Sequence, residues 1–195
     1  MTRIGIFEGH FDPPHKGHVA AARAFMEQMW LDFLYVIVLP MRGERAEAAA
    51  HRKRMCELAF AGIEGVYVSD VALKREHFST VDAMREVCAE ERRLFLLCGT
   101  DRMLSLGDET EADEIFRYSY PVYIRREKDA LLDQKIIKKI EKYRDDYGKV
   151  MRRIVAEPIE LSSEKIRTRL LRGESIAGLV PDVVEKYIGD NHLYV

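Results

Sequence analysis

The segment Ile4-Gly5-Ile6-Phe7-Glu8-Gly9-His10-Phe11-Asp12-Pro13-Pro14-His15-Lys16-Gly17-His18 governs the reading of the whole chain. Its first part is an apolar run that ends at a glycine, the pattern of a buried strand closing in a turn. From Gly17 to Met29 the residues Val19, Ala22, Phe25, Met26 and Met29 then fall at helical spacing. Phe33 to Leu39 is a second apolar run, stopped by Pro40, which can neither donate to a strand ladder nor continue a helix. Strand, helix and strand in this order make a βαβ unit with parallel strands.

The alternation continues outward from that unit. The pattern predicts a helix over about Arg52 to Ala61, a strand at Val66 to Ser69, a helix from Val81 to Glu90 and a strand at Leu94 to Cys98. A short helix near Glu111 to Phe116, a strand at Val122 to Arg125 and an amphipathic helix over Asp133 to Tyr147 follow. Ile154 to Leu161 reads as a last strand and an extended segment. Ser162-Ser163 opens a helix that Gly173 ends, and a final helix is expected near Asp182 to Ile188. Near-continuous apolar strands separated by helices belong to a parallel sheet covered on both faces, so the expected fold is α/β, doubly wound and Rossmann-like, with right-handed crossovers. No repeat, low-complexity tract or linker divides the chain, and residues 1–195 read as one domain.

Composition narrows the function. The chain has 195 residues, 47% of them hydrophobic and 33% charged, which fits a packed core with a well-solvated surface and excludes disorder as the main state. Its 31 Lys and Arg against 33 Asp and Glu give a formal charge of -2, which provides no global field for a long polyanion, so no nucleic-acid partner is expected. Cys56, Cys88 and Cys98 show no Cys-x-x-Cys spacing, so neither a disulfide framework nor a four-thiolate zinc site can be built; this points to the reducing cytoplasm. The longest apolar stretch falls far short of a membrane span, and no basic-then-apolar leader opens the sequence, so neither membrane insertion nor export is expected. The sequence leaves open whether the chain forms a homo-oligomer.

The chemistry is expected where the first strand gives way to the first helix, because ligands of doubly wound sheets bind outside the carboxyl ends of the strands. Helix N-termini present unpaired N–H groups and about half a positive charge. His15, Lys16 and His18 are cationic or cation-forming residues at such a start, which is unfavourable unless an anion is bound there. The same feature recurs at Ser162-Ser163, where N-cap residues are followed by Lys165 and Arg167. Two helix starts of this kind suggest one polyphosphate lying between them.

These motifs resemble those of a known family. Gly9-His-Phe-Asp-Pro-Pro-His-Lys-Gly-His18 resembles the first signature of the HxGH nucleotidyltransferases, and Leu161-Ser-Ser-Glu-Lys-Ile-Arg167 their second; within that superfamily the likeness is greatest to the nicotinate (nicotinamide) mononucleotide adenylyltransferases. Arg75-Glu76 leading to Ser79-Thr80-Val81-Asp82, the stretch Phe95 to Asp101 and the ending Val180 to Tyr194 extend the likeness over nearly the whole chain. The resemblance implies transfer of the adenylyl group of ATP to a pyridine mononucleotide, with Mg²⁺ accompanying ATP and no metal site of the protein's own. It implies that His15, His18 and Arg167 act on the triphosphate and that Gly9, His10, Gly17, Ser162 and Ser163 line its site. Gly99 and Asp101 would meet the ribose, and Thr80 and Arg42 would face the mononucleotide.

Several positions depart from the family pattern. Glu8 and His10 replace a glycine and a threonine, Glu164 replaces the threonine of the second motif, and Met41 to Arg45 stands where the family has a Pro-Pro-His-Lys loop. Glu109 falls where a tryptophan would stack on the pyridine ring, and Glu8 is expected either to repel a triphosphate or to help bind the metal. Two other readings therefore stand beside the first: a nucleotidyltransferase with another phosphorylated acceptor, such as phosphopantetheine or a sugar or polyol phosphate, and an adenylate-binding module without turnover. Plainer roles also exist for single residues. His10 could be a turn residue, Thr80 and Asp101 helix caps, Cys98 an inert buried thiol, and Arg42, Arg45, Arg52 and Lys53 a solvated face.

Overall fold

The computed structural model describes residues 1–75, 77–87, 92–125, 130–156 and 161–194. Among the described residues six strands form one sheet: β1 (Thr2–Gly9), β2 (Phe33–Val38), β3 (Val66–Ser69), β4 (Arg92–Cys98), β5 (Ser119–Ile124) and β6 (Arg152–Ile154). Their order is β3-β2-β1-β4-β5-β6, and every neighbouring pair is parallel. The helices are α1 (Lys16–Gln28), α2 (Ala46–Phe60), α3 (Thr80–Val87), α4 (Thr100–Ser105), α5 (Ala112–Tyr118), α6 (Ala130–Tyr147), α7 (Ser163–Leu171) and α8 (Asp182–Asp190), with short 3₁₀ turns at Val71–Lys74 and Leu106–Asp108.

Strand alternation sorts the apolar side chains into two cores. Phe7, Val36, Val38, Phe95 and Leu97 join Phe25 of α1, Phe60 of α2, Ile166 of α7 and Val184 of α8 on one face. Ile4, Ile6, Leu94, Leu96 and Cys98 join Met84 of α3, Met103 of α4, Phe116 of α5 and Tyr143 of α6 on the other. The strand order reverses between β1 and β4, so their carboxyl ends flank the switch-point crevice of the doubly wound fold. Gly5 is a glycine because β1 lies against α1: a Cβ there would meet Leu31, Phe25 and Leu34 at 2.5 to 2.9 Å.

The differences from expectation have local causes. α2 begins at Ala46 rather than near Arg52, because its first turns are largely solvent-exposed and carry no apolar stripe to read. α4 was not anticipated; six residues with only Thr100 and Met103 buried are too few to show a period. β5 begins at Ser119 rather than Val122, with Pro121 inside it. Pairing with β6 starts only at Val122, so the missing N–H falls where the strand has a single neighbour, β4. β6 is Arg152–Ile154, earlier than the expected start at Ile154. Glu76, Cys88, the end of the helix expected to reach Glu90 and the extended segment at 157–160 lie outside the described residues. Among the described residues no helix is long and apolar enough to cross a membrane.

Candidate active site

The β1–α1 loop is built around two imidazoles. His15 is the N-cap of α1 and is buried, and its ring stacks on that of His18 with centroids 3.6 Å apart and planes 20° from parallel. The Nδ1 atom of His15 accepts the backbone N–H of His18 at 3.3 Å, and Nδ1 of His18 accepts that of His15 at 3.2 Å. This is a capping box in which both reciprocal acceptors are histidines. Both Nδ1 atoms act as acceptors, an arrangement that places the proton of a neutral imidazole on Nε2 and fixes the orientation of both rings. Phe11, with φ of 49°, packs edge-on against Phe7, His18 and Phe60 and so fixes the His18 ring from behind. Gly9 is needed for that packing, since a Cβ there would meet the Phe11 ring at 3.0 Å.

The second motif closes on the first across about 150 residues. Ser163 Oγ donates to the carbonyl of Pro13 at 2.9 Å, and Arg167 Nη1 donates to the carbonyl of Asp12 at 2.6 Å while lying 3.3 Å from its carboxylate. Ser162 caps α7 by accepting the N–H of Lys165, as the sequence predicted, and Glu164 sits in that first turn, where an acid is favourable. Tyr194 donates to Asp12 Oδ1 at 2.6 Å, and its phenol is pushed upward by burial first and then by that carboxylate. His15, His18, Ser162, Ser163 and Arg167 are thereby gathered at one loop, with Gly17 in the first turn of α1 between the histidines.

Sequence reasoning missed two anchors. Arg52 lies in the buried part of α2, forks onto the Glu44 carboxylate and also donates to the carbonyl of His10. It is therefore a buried structural clamp rather than part of a solvated face, while the partly exposed Lys53 pairs with Asp70 at 2.9 Å. Arg42 and the His10 side chain are exposed near this loop. Gly99 is the N-cap of α4, and a Cβ there would meet nothing within 4 Å, so packing does not explain this glycine; Asp101 is exposed two residues on, in the first turn of α4.

The larger surprise lies on the other face of the sheet. Glu8, at the end of β1, is a carboxylate whose side chain is 2% exposed, and Arg102 Nη1 donates to its Oε2 at 2.6 Å. Thr80 Oγ1 donates to the same oxygen at 2.8 Å and accepts from Arg102 Nη2 at 2.7 Å. Glu109 takes the remaining edge of the guanidinium, with Nε to Oε1 at 3.1 Å and Nη2 to Oε2 at 3.3 Å. Burial alone would lower the pKa of Arg102, but its hydrogen bond to Glu109 and the charge of Glu8 outweigh that and hold it firmly protonated. Glu8 is thus neutralised by a salt bridge, which neither alternative expected for it provides. Thr80 does not cap α3, because Ser79 does, in a reciprocal box with Asp82. The signal for Arg102 was indirect: two unexplained acids, Glu8 and Glu109, needed one cation between them.

A parallel doubly wound sheet with oriented donors from two helix starts at its switch point defines a nucleotide-handling α/β protein of the nucleotidyltransferase class. A model of the cytidylyltransferase-like family matches residues 6–169, and the chain belongs to that family. It is 32% identical to a probable nicotinate-nucleotide adenylyltransferase of Gemmatimonas aurantiaca, over 98% of this chain and 92% of that one. It is also 32% identical to a Bordetella petrii protein of the same description, over the full length of both. The Plasmodium falciparum nicotinic acid mononucleotide adenylyltransferase complexed with NaAD superposes with a TM-score of 0.77 at 17% identity, covering 100% of this chain and 98% of that one, which shows the shared fold.

Proposed function

We propose that the protein transfers the adenylyl group of ATP to nicotinate mononucleotide, releasing pyrophosphate and forming the dinucleotide of NAD biosynthesis. The observation that carries this reading is the joining of the two motifs: Ser163 and Arg167 bonded to the carbonyls of Pro13 and Asp12, beside the paired imidazoles of His15 and His18. The names of the full-length relatives supply the acceptor.

In the reaction a phosphate oxygen of the mononucleotide attacks the α-phosphorus of ATP, the bond from that phosphorus to the β-bridging oxygen breaks, and its electron pair leaves with pyrophosphate. No protein nucleophile is required, so catalysis rests on alignment and on donors placed where charge accumulates. The imidazoles of His15 and His18, held in place by the cap, supply such donors. Arg167 and the first turn of α7, opened by Ser162 and Ser163, receive the β- and γ-phosphates. Gly99 leaves room for the nucleoside ribose, and Asp101 accepts its hydroxyls. Thr80 and Arg42 lie on the acceptor side.

Among the described residues no group of three or more His, Cys, Asp or Glu side chains could hold a metal ion. Mg²⁺ would enter with ATP, bound mainly by phosphate oxygens as is usual for this ion. When bound it neutralises charge on the departing pyrophosphate. The buried free thiols of Cys56 and Cys98 suit the reducing cytoplasm.

The test is pyrophosphate release from ATP and Mg²⁺ with a panel of acceptors: nicotinate and nicotinamide mononucleotides, phosphopantetheine, and sugar and polyol phosphates. Release with a pyridine acceptor, lost in His18→Ala, supports the reading. Release only with another acceptor replaces it, and ATP binding without release for any acceptor would leave a non-catalytic adenylate module. The pairing of Glu8 with Arg102 removes one of the two acids that favoured such a module.

A further inference from the structure

The two carboxylates on Arg102 are held differently. Glu8 is enclosed, 2.6 Å from Nη1, and shares its oxygen with buried Thr80. Glu109 follows the 3₁₀ turn at Leu106–Asp108, is 32% exposed, and lies 3.1 and 3.3 Å from the Nε and Nη2 edge, longer than the ~2.7–2.9 Å common for charged pairs. One carboxylate is therefore a fixed part of the structure, and the other sits at its rim.

The charges point the same way. Glu8 and Arg102 cancel, and Glu109 leaves the cluster one negative charge in excess. Exchanging Glu109 for a carboxylate on a ligand would keep both the fork and the charge balance. A carboxamide offers one acceptor oxygen and an NH₂ that can only donate, so it would set donor against donor along the guanidinium edge. The cluster spans the ends of β1 and β4, the two strands that flank the switch-point crevice, on the opposite face of the sheet from the α1 and α7 helix starts. An acceptor joined to the α-phosphate from that side would bring its ring toward Arg102.

We infer that Arg102 is the residue that reads a carboxylate on the acceptor's ring, and that Glu109 occupies this position until the acceptor displaces it. The inference rests on the pyridine mononucleotide reading above and assigns the discrimination between its acid and amide forms to a single guanidinium edge. Arg102 is 26% exposed, so the edge is reachable once Glu109 turns outward.

The experiment measures kcat and KM for nicotinate and nicotinamide mononucleotides, at saturating ATP and Mg²⁺, in wild type, Arg102→Lys and Glu109→Gln. Wild type is expected to favour the acid. Arg102→Lys keeps a positive charge beside Glu8 but loses the fork, and should raise KM for the acid about tenfold, the equivalent of about 1.4 kcal/mol, with little change for the amide. Glu109→Gln should lower KM for the acid and leave the amide unchanged. Equal losses for both acceptors in Arg102→Lys would make the cluster purely structural and overturn the inference. If Arg102→Lys fails to fold, as judged by thermal unfolding, Glu109→Gln decides alone, and an unchanged acid KM overturns the inference. Wild-type turnover without preference overturns it while the adenylyl-transfer reading stands; no pyrophosphate with either acceptor removes both.

Discussion

The rings of His15 and His18 hold each other in register: stacked 3.6 Å apart, each accepts the other's backbone N–H through Nδ1. Each ring thus serves the backbone through Nδ1, which fixes its orientation at the start of α1. His18→Ala should lower kcat by at least about 100-fold, the scale for removing one preorganised donor. Its cost in stability should be only about 1 kcal/mol, the scale of a lost cap. Pyrophosphate release and urea denaturation measure the two effects, and unchanged turnover would rule out the assigned role.

Arg167→Lys keeps the charge but loses the planar fork and its reach to the carbonyl of Asp12. We expect KM for ATP to rise about tenfold, with the folded state little affected because Arg167 is substantially exposed. Calorimetric titration with a non-hydrolysable ATP analogue provides the check.

Two glycines should separate packing from binding. Gly9→Ala forces a Cβ toward the Phe11 ring at 3.0 Å and should cost about 1–3 kcal/mol of stability, the range for overpacking. Gly99→Ala places its Cβ in open space at an ordinary φ of -70°, so stability should hold while ATP affinity falls. Thermal unfolding of both variants, and nucleotide binding by the second, test the pair; loss of stability in Gly99→Ala would show that this glycine serves packing after all.

Glu44 and Arg52 form an almost fully enclosed ion pair that also holds the carbonyl of His10. Glu44→Gln leaves the guanidinium without its counter-charge and should destabilise by about 3–5 kcal/mol, the range for a broken buried pair. An Arg52→Met, Glu44→Leu double variant should recover much of that stability, yet it would also free the His10 carbonyl and lower activity. Denaturation midpoints with parallel activity assays would show the two quantities moving apart.

Burial pushes the thiol of Cys98 up to about 12 and that of Cys56 higher still. The unfolded thiols ionise near 8.5, so above that pH the unfolded chain has released protons that the folded chain retains. The thiols' contribution is fully present below about pH 8.5 and falls as pH rises, by about 1.4 kcal/mol per pH unit for each thiol. In a Cys88→Ser background, neither thiol should react with iodoacetamide at pH 8 until the protein unfolds. Native labelling would contradict the burial of these two residues.

The fold was legible where burial repeats with a period. β1, α1, β2, β3 and β4 were found within a few residues because their apolar runs face the cores. The start of α2 and all of α4 were not, because an exposed alanine-rich turn and a six-residue helix carry no stripe. That the histidines, serines and Arg167 meet at one loop was legible because two short motifs announced them. Arg102 and Arg52 were not: the partner of Arg102, Glu8, lies 94 residues away and is brought to it by the sheet order, and Arg52, eight residues from Glu44, carried no signal that their charges would be buried together. Glu8 and Glu109 stood out as misfits, and their shared partner became visible only when β1 and β4 lay side by side.

Along the β1–α1 loop, the carbonyl of His10 is committed to Arg52, that of Asp12 to Arg167 and that of Pro13 to Ser163. With its oxygens tied up in this way, the loop can offer a ligand mainly hydrogen-bearing nitrogens, and it does so in a chain whose formal charge is -2. Attraction for a polyanion then comes largely from oriented dipoles at short range rather than from a field of surface cations. Mobile ions screen the second kind of attraction far more than the first. Nucleotide affinity in this protein should accordingly vary little with ionic strength, unlike the steep salt dependence of proteins that hold phosphates with exposed lysines.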